Sequence, residues 1–251
     1  MIGKRLIIFS QLILCMLLTS CVPPASPQPD PDLLYQTSTL SALNVGDFDG
    51  DVTMATLLGY GDFGLGTFNA LDGEMVVLDG QVYQVRVDGV PTLASASVET
   101  PFAAVTMFSA DQTLMVNEAV DCPQLQAKID SQLPTLDAPY AIKVSGEFTT
   151  LQVRAPHTQS EPYPTLADAL ADQVVFDLQE IRGTFVGFRL PAYLADANAA
   201  GYHFHFISED EQHGGHVLAC AAESLTVEID TTDRILIDAT PDISPDITET
   251  P

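Results

Sequence analysis

Basic residues, cysteines and long hydrophobic runs are all scarce in this chain. Lys and Arg together number 9 against 34 Asp and Glu, which gives a formal net charge of −25 at pH 7. A protein that binds nucleic acid needs a positive field along the phosphates, so this charge excludes nucleic acid as a partner. Acidity of this degree more often reflects solubility or a saline setting than a particular ligand.

The chain has 4 cysteines, too few for a disulfide scaffold. Cys15 and Cys21 belong to the N-terminal segment, which leaves Cys122 and Cys220 as candidates for an internal bridge. The two could pair outside the cytoplasm, or each could be a separately buried thiol. The sequence leaves both interpretations open.

The one long hydrophobic run lies at the N-terminus and predicts a lipoprotein signal. Lys4 and Arg5 precede an apolar stretch, residues 6–18, that is too short to span a bilayer and is expected to be cleaved. The segment ends in Leu18-Thr-Ser-Cys21, which has the form of a bacterial lipobox, in which the cysteine receives lipid. Beyond this run no segment is predicted to span a membrane.

The segment after Cys21 is rich in proline and argues against an ordinary secretory signal with an incidental cysteine. An unfolded tether suits a domain that a lipid holds off a membrane. We therefore predict a signal peptide at residues 1–20 and a lipidated Cys21 with its tether at residues 21–33. The protein is expected in the bacterial cell envelope, lipid-anchored on the periplasmic or extracellular face.

About 220 residues remain after the tether, enough to bury a substantial core. Asp79-Gly80 between two β-rich runs is a strong hairpin signal. Strands are predicted at 74–78, 81–87, 103–108, 140–154, 174–178, 183–189, 202–207, 216–221 and 224–229, and helices at 53–59, 122–132 and 164–173. Strands outnumber helices without regular alternation, so we predict an α+β fold with mixed or antiparallel sheets. Residues 34–230 form the expected catalytic region, and residues 231–251 an irregular tail.

Four of the chain's five histidines lie within residues 201–216. If this segment is a strand, His203 and His205 point to one face, and Phe204 and Phe206 to the other. A third imidazole from a neighbouring strand would complete the three-nitrogen set that catalytic zinc uses, and His216 is the candidate. Gly214 and Gly215 suit a tight turn that would bring His216 back beside the pair. The competing interpretation is a set of buried histidines whose nitrogens bond to the backbone.

Other polar residues near this cluster give weaker signals. Glu209 completes a His-x-His-x-x-x-Glu pattern that is the first metal motif of cupin barrels, but the second cupin motif is missing. Glu209 is therefore interpreted as part of a solvated acidic turn. His213 is near enough to bind metal in principle, although it and His157 are expected at the surface. By spacing alone, Arg154 and Glu74 look like ordinary charged residues of strands.

Several longer motifs resemble those of one known family. They are GDFGLGTFNALDGEM at residues 61–75, the hairpin Asp79-Gly80, TPFA at 100–103, GYHFHFISED at 201–210 and GGHV at 214–217. In this order they are similar to the alpha-acetolactate decarboxylases, from about residue 34 to about residue 229.

The resemblance implies an enzyme that decarboxylates 2-acetolactate to acetoin and CO2 at a divalent metal, most simply Zn²⁺. By motif, the family's three metal histidines fall on His203, His205 and His216. Its active-site glutamate, threonine and arginine fall on Glu74, Thr67 and Arg154. The resemblance also implies a homodimer.

The implied chemistry suggests a role for each of these residues. The ketone and hydroxyl oxygens of acetolactate can chelate one metal, which stabilises the enediolate left when CO2 departs. Glu74 is then expected to protonate one face of the enediolate. Arg154 is expected to orient the departing carboxylate, and Thr67 to hydrogen-bond to the substrate or to Glu74.

The chain differs from the family at its end, where members carry a second active-site glutamate on a longer tail. Glu249 is the candidate replacement. Two other functions remain open: a cupin-like metalloenzyme that acts on another small acid and uses Glu209 as a ligand, and a noncatalytic envelope lipoprotein that binds zinc.

Overall fold

The computed structural model describes residues 30–239, and these form mainly β-sheet with a few short helices. The predicted signal peptide, Cys21, most of the tether and Glu249 lie outside the described residues. Within residues 30–239, no helix has the length and apolar character that crossing a membrane requires.

The helices and strands of residues 30–239 follow in chain order. The α-helices are α1 (Leu40–Asn44), α2 (Met54–Leu57), α3 (Cys122–Asp130) and α4 (Leu166–Ala169). The strands are β1 (Leu33–Thr37), β2 (Val52–Thr53), β3 (Phe63–Thr67), β4 (Glu74–Leu78), β5 (Gln81–Val85), β6 (Pro91–Leu93), β7 (Glu99–Thr100), β8 (Ala103–Thr106), β9 (Gln112–Val116), β10 (Val120–Asp121), β11 (Tyr140–Ala155), β12 (Val174–Leu190), β13 (Gly201–Ser208), β14 (Gly214–Thr231) and β15 (Arg234–Asp238).

The strands of the described residues form two large sheets and one two-stranded sheet, β2-β7. The first has the order β15-β1-β8-β3-β4-β5-β6, and the second has the order β10-β14-β11-β12-β13 with β9 beside β14. Strand β13 also pairs with β14, so β11, β12, β13 and β14 form a closed ring of pairings. Strands β1 and β15 are parallel, whereas the neighbours of β11 are antiparallel. The predicted fold class, mixed and antiparallel sheets with few helices, is confirmed.

Most predicted strands are present, but two pairs of them are continuous. The runs at 174–178 and 183–189 form the single strand β12, and those at 216–221 and 224–229 form β14. The pairing of β14 with β11 shifts register around Glu223, and a bulge of this kind inserts an extra residue without ending the strand. The pairing of β12 with β11 keeps one register on both sides of Glu180, although Glu180 has a positive φ of 49°. The polar residues at both places were therefore wrongly interpreted as gaps between strands.

The helix predictions were right in place but too long. Helix α2 begins after Thr53, whose hydroxyl accepts from the Thr56 amide, and α4 begins in the same way after Thr165. The prediction of an irregular tail was wrong for residues 234–238, which pair with β1 as β15. Leu33, predicted as the last residue of the tether, is the first of β1.

Apolar layers lie between and outside the two sheets. One cluster packs against one face of the second sheet and includes Phe148, Phe185 and Phe206. Another, with Leu65, Val76 and Val186, lies between the sheets. The histidine strand β13 contributes to both layers because its side chains alternate, with Phe206 in the first and Ile207 in the second.

A disulfide joins Cys122, the first residue of α3, to Cys220 of β14. Asp121 caps the same helix end, where its carboxylate accepts from the Gln124 amide and the Gln124 side chain accepts from the Asp121 amide. Farther along α3, Asp130 accepts a hydrogen bond of 2.7 Å from the Tyr202 hydroxyl. The bridge therefore helps to hold α3 against the strands that carry the histidines.

Removal of this bridge is expected to lower stability. The two cysteines are 98 residues apart, and cross-links that close loops of this length contribute about 2–5 kcal/mol. The double variant Cys122→Ala/Cys220→Ala should therefore unfold at a lower urea concentration than the wild type. Dithiothreitol should destabilise the wild type by a similar amount and leave the variant unchanged. An equal midpoint for the wild type with and without reductant would contradict the prediction.

Candidate metal centre

Three histidines meet where β13 and β14 pair. His203 and His205 lie on β13, and His205 lies directly opposite His216 of β14. Residues opposite each other in an antiparallel pair share a face, as do residues two apart on one strand. The three imidazoles therefore project from one face, while Phe204 and Phe206 pack into the apolar layer on the other, as predicted.

The imidazole nitrogens converge. One ring nitrogen from each of His203, His205 and His216 lies within 4.8 Å of the other two, and His203 Nε2 is 3.2 Å from His216 Nδ1. His205 Nδ1 is 2.7 Å from the Met75 carbonyl oxygen. Because a carbonyl only accepts, this nitrogen carries the proton and leaves the Nε2 lone pair free for a cation.

Burial keeps the three rings neutral. It lowers the pKa of His205 to about 3 and the pKa values of His203 and His216 well below the usual value for histidine. Mutual repulsion and the charge of Arg154 add to the effect on His203 and His216. Among the described residues, His203 Nδ1 and His205 Nε2 are buried without a hydrogen-bond partner. Neutral imidazoles with unpaired nitrogens are the form that binds a metal, so these residues fit one.

The glycines at 214 and 215 act differently from the prediction. The turn consists of residues 209–213, and the glycines are the first residues of β14. Gly215 has a φ of 142°, and a Cβ there would lie 2.6 Å from the Arg154 carbonyl oxygen. A side chain at this position would push β11 away from β14, which carries His216 next in sequence.

Glu74 and Arg154 lie beside the histidines. Arg154 of β11 is opposite His216 in register, and Glu74 begins β4 on the facing sheet. Arg154 Nη1 is 2.5 Å from Glu74 Oε1, with only 13% and 7% of the two side chains exposed. Glu74 Oε2 lies 3.2 Å from His205 Nε2. Spacing alone suggested an ordinary surface residue for Glu74, which was wrong because the side chain is buried. For Arg154 it suggested a pair with a carboxylate, and the contact with Glu74 is such a pair.

Two opposed effects act on the Glu74 carboxyl. Burial raises its pKa, and the charge of Arg154 lowers it; the net result is a raised pKa. A buried carboxyl with a raised pKa can retain a proton for transfer.

Thr67 lies near this pair but bonds elsewhere than predicted. Its hydroxyl donates to the Gly73 carbonyl oxygen at 2.7 Å rather than to Glu74. It thereby fixes the residue that precedes Glu74, and Thr67 and Glu74 are paired across β3 and β4.

A cavity of about 260 Å³ connects these side chains. Its polar end consists of Thr67, Glu74, Arg154, His203, His205 and His216. Its other walls are mostly apolar and include Leu40, Leu43, Leu71, Phe102, Leu166 and Leu170. Helices α1 and α4 supply three of these leucines, and Leu170 directly follows α4. The sequence did not indicate these wall residues because helices of 4–5 residues show no periodicity.

The remaining candidates are outside the cavity. The Glu209 side chain is 73% exposed and pairs with Arg182, so its assignment to a solvated turn is supported. His157 and His213 are exposed. Among the described residues, the group that can hold a metal is the three histidines of β13 and β14.

Comparisons with known proteins agree with this geometry. A family model described as alpha-acetolactate decarboxylase matches residues 34–243. The chain belongs to this family. It is 42% identical to an alpha-acetolactate decarboxylase of Methanosarcina mazei over 207 residues, which are 82% of this chain and 72% of the relative. It is 41% identical to the alpha-acetolactate decarboxylase of Klebsiella aerogenes over 82% of this chain and 79% of the relative.

The fold of this decarboxylase is also similar to solved structures. The crystal structure of alpha-acetolactate decarboxylase from Bacillus subtilis strain 168 superposes with a TM-score of 0.82 at 36% identity. The superposition covers 84% of this chain and 90% of that one. The family assignment identifies the chain as a carboxy-lyase, and the cavity lined by the histidines, Glu74 and Arg154 is its candidate active site.

Proposed function

We propose that this decarboxylase converts 2-acetolactate to acetoin and CO2 in the histidine cavity. The observation that carries the proposal is the convergence of three neutral imidazoles, a buried carboxyl and a buried guanidinium in one enclosed space. His203, His205 and His216 would hold a divalent cation. Zn²⁺ is the proposed ion because it combines three histidine nitrogens with open positions for substrate or water. When bound, the cation would act as a Lewis acid that draws negative charge from the reacting carbon.

Arg154 is the proposed site for the substrate carboxylate. It is the cationic side chain among the described residues that line the cavity, and Glu74 is its partner in the free protein. Protonation of Glu74 would free the guanidinium to pair with the substrate. Strong pairing would stabilise the substrate more than the transition state, so the main role of Arg154 is to orient the bond that breaks.

Glu74 is the proposed proton donor. When CO2 leaves, its bonding electron pair remains with the substrate, and a proton must be delivered to carbon to complete acetoin. The Glu74 carboxyl can supply this proton and recover one from water. Because Glu74 begins β4, which pairs with β3 and β5, its carboxyl stays on one side of the cavity, and the proton would arrive on one face and give one enantiomer. Thr67 would support this role by holding the Gly73 carbonyl.

The direct test is acetoin formation from racemic acetolactate by the purified, zinc-loaded protein. We expect turnover with an excess of one acetoin enantiomer. Binding of one zinc ion per chain without turnover would instead support a noncatalytic zinc-binding lipoprotein. Turnover of another small acid, with metal lost on Glu209→Ala, would support the cupin-like alternative.

Envelope location and a lipid anchor at Cys21 are part of the proposal. The lipobox and the proline-rich tether support them, and the disulfide between Cys122 and Cys220 suits an oxidising compartment. Cell fractionation tests the anchor: Cys21→Ser should move the protein from the membrane to the soluble fraction. The homodimer implied by the family resemblance stays a prediction, which light scattering of the purified protein would test.

A further inference from the structure

The bend that leads into Glu74 has an unusual backbone. It connects β3 to β4, and Ala70, Leu71 and Gly73 all have positive φ values, of 59°, 52° and 96°. Two of these are not glycine, and residues with side chains rarely adopt this conformation. Such strained segments persist only where their surroundings hold them in place. Since Glu74 follows directly, whatever holds the bend also determines where its carboxyl lies.

Asp72 is the centre of the contacts that hold the bend. Its Oδ2 accepts from Arg86 Nε at 2.9 Å and Nη2 at 2.7 Å, and from Gln84 Nε2 at 3.0 Å. Its Oδ1 accepts from the Thr158 hydroxyl at 2.5 Å. Burial alone would raise the pKa of Asp72, but the hydrogen bonds from Arg86 and Thr158 outweigh it and hold the pKa below its usual value. Asp72 is therefore an ionised acceptor that joins three segments.

One of those segments follows Arg154. Thr158 lies four residues beyond Arg154, just after β11 ends. The next residue, Gln159, donates its amide to the Ala70 carbonyl oxygen at 2.7 Å. The bend that carries Glu74 and the segment that follows Arg154 are thus tied together twice, by the Thr158 side chain and by the Gln159 backbone.

We propose that Asp72 and Thr158 are positioning residues that hold the Glu74 carboxyl beside the Arg154 guanidinium for the decarboxylation. Neither residue lines the cavity, so both act through other residues. The inference rests on the proposed roles of Glu74 and Arg154. Those two groups are in contact at 2.5 Å, and a misplacement of about 1 Å in a reacting group can cost about 100-fold in rate.

The sharper test uses Thr158→Val, because Thr158 sits in an exposed loop and valine matches threonine in shape. The hydroxyl is lost, and with it the side-chain tie to Asp72. We expect kcat to fall about tenfold with KM, bound zinc and Tm close to wild type, and the enantiomeric excess of acetoin to decrease. Thr158→Ser keeps the hydroxyl and should restore the wild-type kcat and enantiomeric excess. Thr226→Val removes a hydroxyl that donates to Met115 Sδ on the neighbouring strand β9, and it is the matched control.

Asp72→Asn is the second variant. Asparagine keeps the shape, but it has no negative charge and only one acceptor oxygen, so it cannot accept from both Arg86 and Thr158. A larger fall in kcat is therefore expected. If the wild type is active and both Thr158→Val and Asp72→Asn keep its kcat and enantiomeric excess, the inference about Asp72 and Thr158 is overturned. The proposed function is not affected by that result. A folded, zinc-loaded wild type that makes no acetoin would overturn the proposed function and this inference with it.

Discussion

Replacing His203 with alanine is expected to remove both the bound metal and the decarboxylase activity. The cluster offers three histidine nitrogens, and loss of one leaves two. The neighbouring carboxylate, Glu74, is already paired with Arg154. Loss even of an outer-shell partner weakens metal binding by about 10–100-fold, so loss of a direct ligand should exceed about 100-fold. Measured by elemental analysis after dialysis, zinc should fall from about one ion per chain to a small fraction, and acetoin formation should fall in parallel.

The same hairpin provides the control for this experiment. His213 is exposed in the turn between β13 and β14, a few residues from His216 but outside the cluster. His213→Ala should keep full zinc content and full turnover. If His203→Ala retained zinc and activity, or if His213→Ala lost them, the assignment of the metal centre would be wrong.

The histidine cluster was predictable because it depends on local geometry. The spacing of His203 and His205 matches the two-residue repeat of a strand, and His216 is close enough in sequence to return through a hairpin. Even here the details of the turn were wrong, since both glycines begin β14 and Gly215 fits against the Arg154 carbonyl oxygen.

Glu74 and Arg154 could not be chosen from spacing because they meet only in the fold. They are 80 residues apart and lie on different sheets. The resemblance to the family selected them, and the contact between them gives that choice a physical basis. The same limit applies to β15, whose partner β1 lies at the other end of the described chain.

The charge of the cavity differs from that of the whole protein. The chain carries a formal charge of −25, yet its proposed substrate is an anion. Arg154 and a bound cation would supply the positive potential that holds a carboxylate within this acidic protein. The product, acetoin, is neutral and loses this attraction. The arrangement therefore favours substrate binding and product release at the same site.

Substitution of Glu74 by glutamine is expected to remove turnover while the metal remains bound. Glutamine has nearly the same shape, so it can remain between Arg154 and His205, but its amide cannot serve as a proton donor. General acid catalysis by a positioned group contributes about 10²–10⁴-fold, and kcat should fall within that range. Zinc content should stay near one ion per chain. Any residual acetoin should lose enantiomeric excess, because water would then deliver the proton without a fixed direction.

Glu228→Gln is the matched control for this change. Glu228 is also ion-paired, to Lys143 at 2.8 Å, but it lies on β14 away from the cavity. That variant should keep the wild-type kcat and enantiomeric excess. Loss of zinc in Glu74→Gln would point to a ligand role for Glu74, and unchanged kcat with unchanged enantiomeric excess would exclude it as the proton donor. Loss of activity with zinc retained separates the two functions of the cavity: the histidines hold the cation, and the carboxyl delivers the proton.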